Sequence, residues 1–176
     1  MKNYLIVVDM QNDFVTQALG NPEAVGIIPF VAAEIESAYK HGHEIIFTRD
    51  THQDCYLETQ EGKKLPVPHC IEGSEGWEII DELKPFAAGK TVIDKPTFGS
   101  RELAEMLAAE NNSKAINSIT LIGVCTDICV ISNAMLIKAF LPEVSIKVKA
   151  DCCAGVSPES HKRALEAMSV CQIEII

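Results

Sequence analysis

The chain has 176 residues, 47% hydrophobic and 23% charged, with 25 Asp and Glu against 15 Lys and Arg for a formal net charge of −10. This length suits a single domain with a full core, spanning residues 1–176. So acidic a chain, without a basic cluster, is a poor match for phosphate backbones or anionic membranes, and no apolar run approaches the length of a membrane span. Neither nucleic acid nor membrane is therefore expected as a partner.

The N-terminal MKNYLIVVDM carries a short apolar run, but an acidic residue and the polar QND follow where a leader's cleavage site would lie, so Tyr4–Val8 reads as a strand. Ala24–Tyr39 has helical periodicity through Ile27, Ile28, Val31, Ile35 and Ala38, ended by His41-Gly42. Glu44–Thr48 is a second strand, and residues 50–76 are irregular. Trp77–Leu83 reads as a short helix and Thr91–Ile93 as a short strand, and Ser100 caps a helix running through Ala109. Ser118–Ile122 is a strand, followed by a helix from about Thr126 to Phe140. Val144–Val148 is a strand, Pro158–Met168 a helix, and the terminal QIEII a closing strand. Strands interleaved with helices, several of them unbroken β-branched runs, imply a three-layer α/β/α domain with a six-stranded parallel sheet. Seven cysteines, at 55, 70, 125, 129, 152, 153 and 171, are an odd number, and no secretory leader is expected before them. They point to free thiols in a reducing cytoplasm, most of them acting as small buried hydrophobes.

In open sheets of this kind ligands bind beyond the carboxyl ends of the strands, near the point where the strand order reverses. Three reactive side chains stand just after strands: Asp9 in VVDMQNDF, Lys95 in VIDKPTFGS, and the cysteines of GVCTDICV. Taken singly, an Asp at a strand end can be a turn residue, a Lys a solvated one and a Cys a packing one. Jointly, a carboxylate, an ammonium and a thiol at one sheet rim form a candidate catalytic set. The pair Cys125 and Cys129 does not have CxxC spacing, and no second thiol pair or His adjoins it, which weakens a redox or zinc reading.

DMQNDF at 9–14, DTH at 50–52, PHCIEGSEGW at 68–77, DKPTFGS at 94–100 and GVCTDICV at 123–130 together resemble the isochorismatase-like cysteine hydrolase family, which includes nicotinamidases. The pieces keep the family's order from one end of the chain to the other. The resemblance implies a strand order of 3-2-1-4-5-6 and a catalytic triad of Asp9, Lys95 and Cys129. A thiol must become a thiolate to attack a carbonyl. A helix N-terminus at Cys129 and the cation of Lys95 are expected to lower its pKa. Asp9 is expected to serve as general base and then general acid. The family's oxyanion hole falls on the backbone N–H groups of Cys125 and Cys129. The position of Cys125 takes a small residue in relatives and follows a cis peptide bond, here Val124–Cys125. Asp127 has an ordinary role open to it, accepting hydrogen bonds at the helix N-terminus.

The resemblance further implies a divalent metal held by Asp50, His52, Glu61 and His69, with Glu58 as the alternative to Glu61. Mixed nitrogen and oxygen ligands suit zinc first, with manganese or iron as alternatives. Phe14 and Phe98 match aromatic positions that would sandwich a flat ring, and Val124 is a further substrate-contact candidate. Pro66 departs from the pattern, standing where many nicotinamidases carry an aromatic residue. The implied activity is hydrolysis of a small amide, nicotinamide foremost, through a thioester on Cys129. The alternatives are another carbamoyl or ureido amide, as in relatives without the metal site, or a non-catalytic small-molecule-binding protein. Isochorismatases themselves cleave a vinyl ether without a nucleophilic Cys, so the thiol at 129 favours an amidase. Family members are often dimers or tetramers, so a homo-oligomer is expected.

Overall fold

The computed structural model describes residues 1–176. β1 (Lys2–Val8) lies at the centre of an all-parallel six-stranded sheet. Its companions are β2 (Glu44–Asp50), β3 (Thr91–Lys95), β4 (Ile116–Val124), β5 (Ser145–Ala154) and the short β6 (Glu174–Ile175). The order is β3-β2-β1-β4-β5-β6, so it reverses between β1 and β4, as the resemblance implied. Alternation along β1 builds both faces. Tyr4, Ile6 and Val8 join one apolar cluster, Leu5 and Val7 the other, and each fully buried side chain of this size contributes about 1.5–3 kcal/mol. The first cluster is covered by α6 (Arg101–Ser113), α7 (Ile131–Phe140) and α8 (Pro158–Val170), through Leu103, Leu107, Ile137 and Met168. The second is covered by α3 (Ile28–Lys40) through Val31, Ile35 and Ala38. No helix is long and apolar enough to cross a membrane.

Several elements differ from the expectation. The helix read over Ala24–Tyr39 is two, α2 (Pro22–Gly26) and α3, because Pro29 cannot donate and so begins a new helix. Trp77–Leu83 is not helical. Ile79 bridges back to Gln11, Ile80 and Leu83 are buried, and the short helix instead follows at Lys84–Ala87, with Pro85 in its first turn (α5). Within 50–76 the chain forms a 3₁₀ turn at Tyr56–Glu58 and then α4 (Gln60–Lys64), whose N-cap Thr59 accepts from the Gly62 N–H. Before all of these, α1 (Asn12–Val15) follows directly on β1.

Two backbone features shape the ends of the central strands. Asp9 has φ 49°, a left-handed conformation that Asp tolerates better than most residues, and it turns the chain sharply out of β1. Gly123, with φ 112°, lies so close to β1 that a Cβ there would sit 2.1 Å from the Val8 carbonyl oxygen, so only glycine fits. The Val124–Cys125 peptide bond that follows is cis.

Candidate active site

Asp9, Lys95 and Cys129 come together at the carboxyl end of the sheet. Parallel pairing aligns Val8 with Thr48 and Asp50 with Lys95, which brings the ends of β1, β2 and β3 level. The Lys95 ammonium lies 2.7 Å from Asp9 Oδ2, 3.3 Å from Asp50 Oδ1 and 3.5 Å from Cys129 Sγ, and it donates to the Thr97 carbonyl at 3.2 Å. The Thr48 hydroxyl donates to Asp9 Oδ1 at 2.7 Å. Asp9, Lys95, Asp50 and Cys129 are all buried. Although Asp9 Oδ2 is close to Lys95, the contact is not aligned as a hydrogen bond, which leaves that oxygen without one.

Burial dominates the electrostatics. It pushes the Asp9 carboxyl above its usual range, against the opposing pull of Lys95. Burial and then the negative charge of Asp9 hold the Cys129 thiol well above an ordinary cysteine, and Lys95 only partly offsets them. Cys129 is thus a thiol at rest. The expected depression by a helix N-terminus and a cation is outweighed by loss of solvent and a neighbouring carboxylate. Nor is Cys129 in the first turn of an α-helix. Thr126–Val130 is a single wide turn in which the N–H groups of Ile128 and Val130 both donate to the Cys125 carbonyl, before α7 begins. Cys125 stands just before this turn, and burial holds its thiol at about 12. Asp127 does not cap its own turn; its carboxylate accepts from the Val156 N–H at 3.1 and 3.4 Å, tying this loop to the one after β5.

The second constellation is also assembled. Asp50, His52, Glu61 and His69 bring one ligand atom each to within 4.8 Å of one another, a group able to hold a metal ion. Two observations fit that use. His69 Nδ1 faces the Val67 carbonyl at 2.8 Å, which makes Nδ1 the donor and leaves the Nε2 lone pair facing the cluster. His52 Nε2 is buried with no hydrogen bond, although Asp50 Oδ2 is 2.9 Å away. Burial pulls the His52 imidazole down, but Asp50 and Glu61 beside it hold it above its ordinary value. Burial likewise works against ionisation of Asp50, yet the His52 ring and the charges of Lys95 and His69 hold that carboxyl below its usual range. Glu58 is an exposed residue of the 3₁₀ turn outside the group, so Glu61 is the glutamate that joins Asp50 in it.

Both constellations border a cavity of about 710 Å³, lined by Phe14, Phe98, Asp50, His69, Cys125 and Cys129 among others. Asp9 and Lys95 lie behind Cys129, outside its lining. Val124 departs from the expectation. It is buried in the apolar cluster under α3 and does not line the cavity, because strand alternation turns it into the core.

Several supporting side chains were not singled out from sequence. Gln11 clamps the Asp50 backbone, accepting from its N–H at 2.7 Å and donating to its carbonyl at 2.9 Å. Asp13 accepts from the Cys70 N–H at 2.7 Å and so anchors the His69 loop. Both lie in the DMQNDF run, which was the available signal. Thr48, and Tyr56 packed against both His52 and His69, have no local signature.

The isochorismatase domain matches residues 3–176. The nicotinamidase of Schizosaccharomyces pombe is 28% identical, over 98% of this chain and 91% of that protein. Among solved structures, the pyrazinamidase of Pyrococcus horikoshii in complex with zinc superposes with a TM-score of 0.81 at 28% identity, covering 100% of this chain and 99% of that one. A pyrazinamidase/nicotinamidase from Streptococcus mutans superposes with a TM-score of 0.85 at 28% identity, covering 99% and 100%.

Proposed function

The chain belongs to the isochorismatase domain family, and from that premise we propose that it is an amide hydrolase converting nicotinamide to nicotinate and ammonia through a thioester on Cys129. The observation that carries this reading is one buried contact set: a thiol, an ammonium and a carboxylate meeting beside a cavity, with Asp50 joining them to the His52–His69 cluster.

In the first half-reaction Asp9 takes the Cys129 thiol proton on Oδ2, the oxygen left without an aligned hydrogen bond. Sγ attacks the amide carbon, and the carbonyl electron pair moves to oxygen, where the N–H groups of Cys125 and Cys129 receive it. The C–N bond breaks as its nitrogen takes the proton from Asp9, and ammonia leaves. Water then gives a proton to Asp9 and attacks the thioester. The C–S bond breaks, Sγ recovers its proton from Asp9, and nicotinate departs. Lys95, within 3.5 Å of both Asp9 Oδ2 and Sγ, balances the negative charge as it moves between oxygen and sulfur. A carboxylate pushed up by burial is a stronger base than an ordinary one, which suits removal of a proton from a thiol that burial also holds up.

Asp50, His52, Glu61 and His69 would hold a divalent ion, zinc by the nature of the donors and by the relative that binds it. Bound there, it would orient and polarise the ring nitrogen of the substrate. Phe14, buried and tilted against His69 at 5.4 Å between ring centres, and Phe98 would contact the ring faces. The test is release of ammonia from nicotinamide by the purified protein, with benzamide, which lacks the ring nitrogen, and ureido acids alongside. Turnover of nicotinamide well above benzamide supports the reading. Activity confined to ureido or carbamoyl compounds overturns it.

A further inference from the structure

The cavity is larger than the proposed substrate requires. Nicotinamide has roughly nine non-hydrogen atoms; given no more than the ~30 Å³ share of a liquid water each, it takes under about 300 Å³. More than half of the 710 Å³ is left over. The lining divides by depth: Phe14, Asp50, His69 and Cys129 are buried at the base, while the rim is exposed and largely apolar. Leu65 and Val156 stand 38% and 58% exposed there, beside Phe98, whose ring is already assigned to the substrate ring, an uncovered apolar collar of the kind that marks a ligand groove. Within that rim Lys64, near the C-terminus of α4, is the one cation of the cavity lining. It makes no salt bridge or side-chain hydrogen bond, although the chain carries ten net negative charges and most of its basic residues are paired.

An apolar collar beside an unpaired ammonium, above a base fitted for a ring amide, defines a second specificity element. We infer that the outer half of the cavity is a subsite for a substituent on the substrate ring, an apolar arm ending in an anion that pairs with Lys64. The inference rests on the amidase reading and extends it from nicotinamide to pyridine carboxamides with a carboxylate-terminated arm. Asp50 and Glu61 are committed to the metal-ligand group, so Lys64 is the cation of the lining left for an anion on the arm.

The test uses three pyridine-3-carboxamides: the unsubstituted one, one with a short alkyl arm ending in a carboxylate, and one with the same arm ending in an alcohol. For the intact protein both arm-bearing amides should be turned over at least as well as nicotinamide. The carboxylate arm should lead the alcohol arm in kcat/KM by roughly two- to five-fold at low salt, the range of an exposed ion pair, and the lead should shrink as salt rises. Lys64→Gln should bring that ratio to about one, and Lys64→Glu should take it below one. The ratio is internal to each variant, so general damage to the enzyme does not move it. A ratio near one in the intact protein, an unchanged ratio in Lys64→Gln, or a loss beyond about tenfold for both arms relative to nicotinamide overturns the subsite. Failure to hydrolyse any of the three amides overturns the amidase reading instead. In that case calorimetric binding of the same compounds to the same variants decides the subsite by the same ratios.

Discussion

Replacing Lys95 by methionine removes the charge while keeping most of the side chain's volume. In the intact protein the ammonium lies 2.7 Å from Asp9 and 3.3 Å from Asp50, all three buried. At an effective dielectric of 20 those contacts amount to gross attractions of roughly 6 and 5 kcal/mol, which desolvation of the three ions largely offsets. The measurable consequence is the penalty of leaving buried carboxylates uncompensated, about 3–5 kcal/mol. A domain in the middle of the typical range, about 10 kcal/mol, remains mostly folded under that loss. The pH dependence has a definite sign. Without Lys95 the folded-state pKa of Asp9, already raised by burial, rises further above the unfolded value of about 3.9. The cost is therefore present at neutral pH, shrinks as the pH falls through the raised folded-state value, and is gone only below about 4, the unfolded value. Asp9→Asn added to Lys95→Met should restore about 0.5–3 kcal/mol by removing the stranded charge, yet leave the protein without ammonia release. Urea titrations of the four proteins at pH 7 and at pH 5, beside the ammonia assay, read all of this. Strict additivity of the two substitutions, or a stability gap that widens on acidification, would refute the buried-pair argument. An active double variant would remove Asp9 from the mechanism.

Cys129→Ala should be folded and inactive and Cys125→Ala active, because alanine supplies the same backbone N–H; retained turnover by the first, in the same ammonia assay, would sink the thioester. Since Cys129 is a thiol at rest, its alkylation by iodoacetamide should depend on Asp9, so peptide mapping should find the label on Cys129 in the intact protein and lose it in Asp9→Asn. Purified protein should carry about one divalent ion by elemental analysis. A chelator should lower the melting temperature, Glu61→Gln should weaken metal retention, and Glu58→Gln should not. Burial holds the His161 imidazole, 2.8 Å from the Thr126 hydroxyl, below its ordinary value. The unfolded chain therefore binds the extra proton first, and stability should fall as the pH drops below about 6.5; His161→Asn should flatten the urea midpoint between pH 7 and 5.

Periodicity and punctuation along the chain were enough to determine the alternation of strands and helices, and with it a layered α/β domain whose reactive residues stand at strand ends. Asp9, Lys95 and the cysteine pair of GVCTDICV were legible in this way, because each follows an apolar strand within its own segment and needs no knowledge of the others; the choice of Cys129 over Cys125 came from the family likeness. Asp50, His52 and His69 were legible through short runs with a family likeness. What no segment contains is its neighbour across the sheet. That Thr48 donates to Asp9 follows from the register of β2 on β1, and that Asp50 serves Lys95 with one oxygen and His52 with the other follows from where β3 and the His69 loop come to rest. Proline at position 29 and the bridge from Ile79 to Gln11 likewise overrode a helical pattern that looked continuous in the sequence alone. The protonation of Cys129 belongs to the tertiary structure most of all. A local reading of cation and helix end predicts a lowered pKa, whereas the folded chain raises it, because desolvation sums over every atom that excludes water and most of those atoms are distant in sequence.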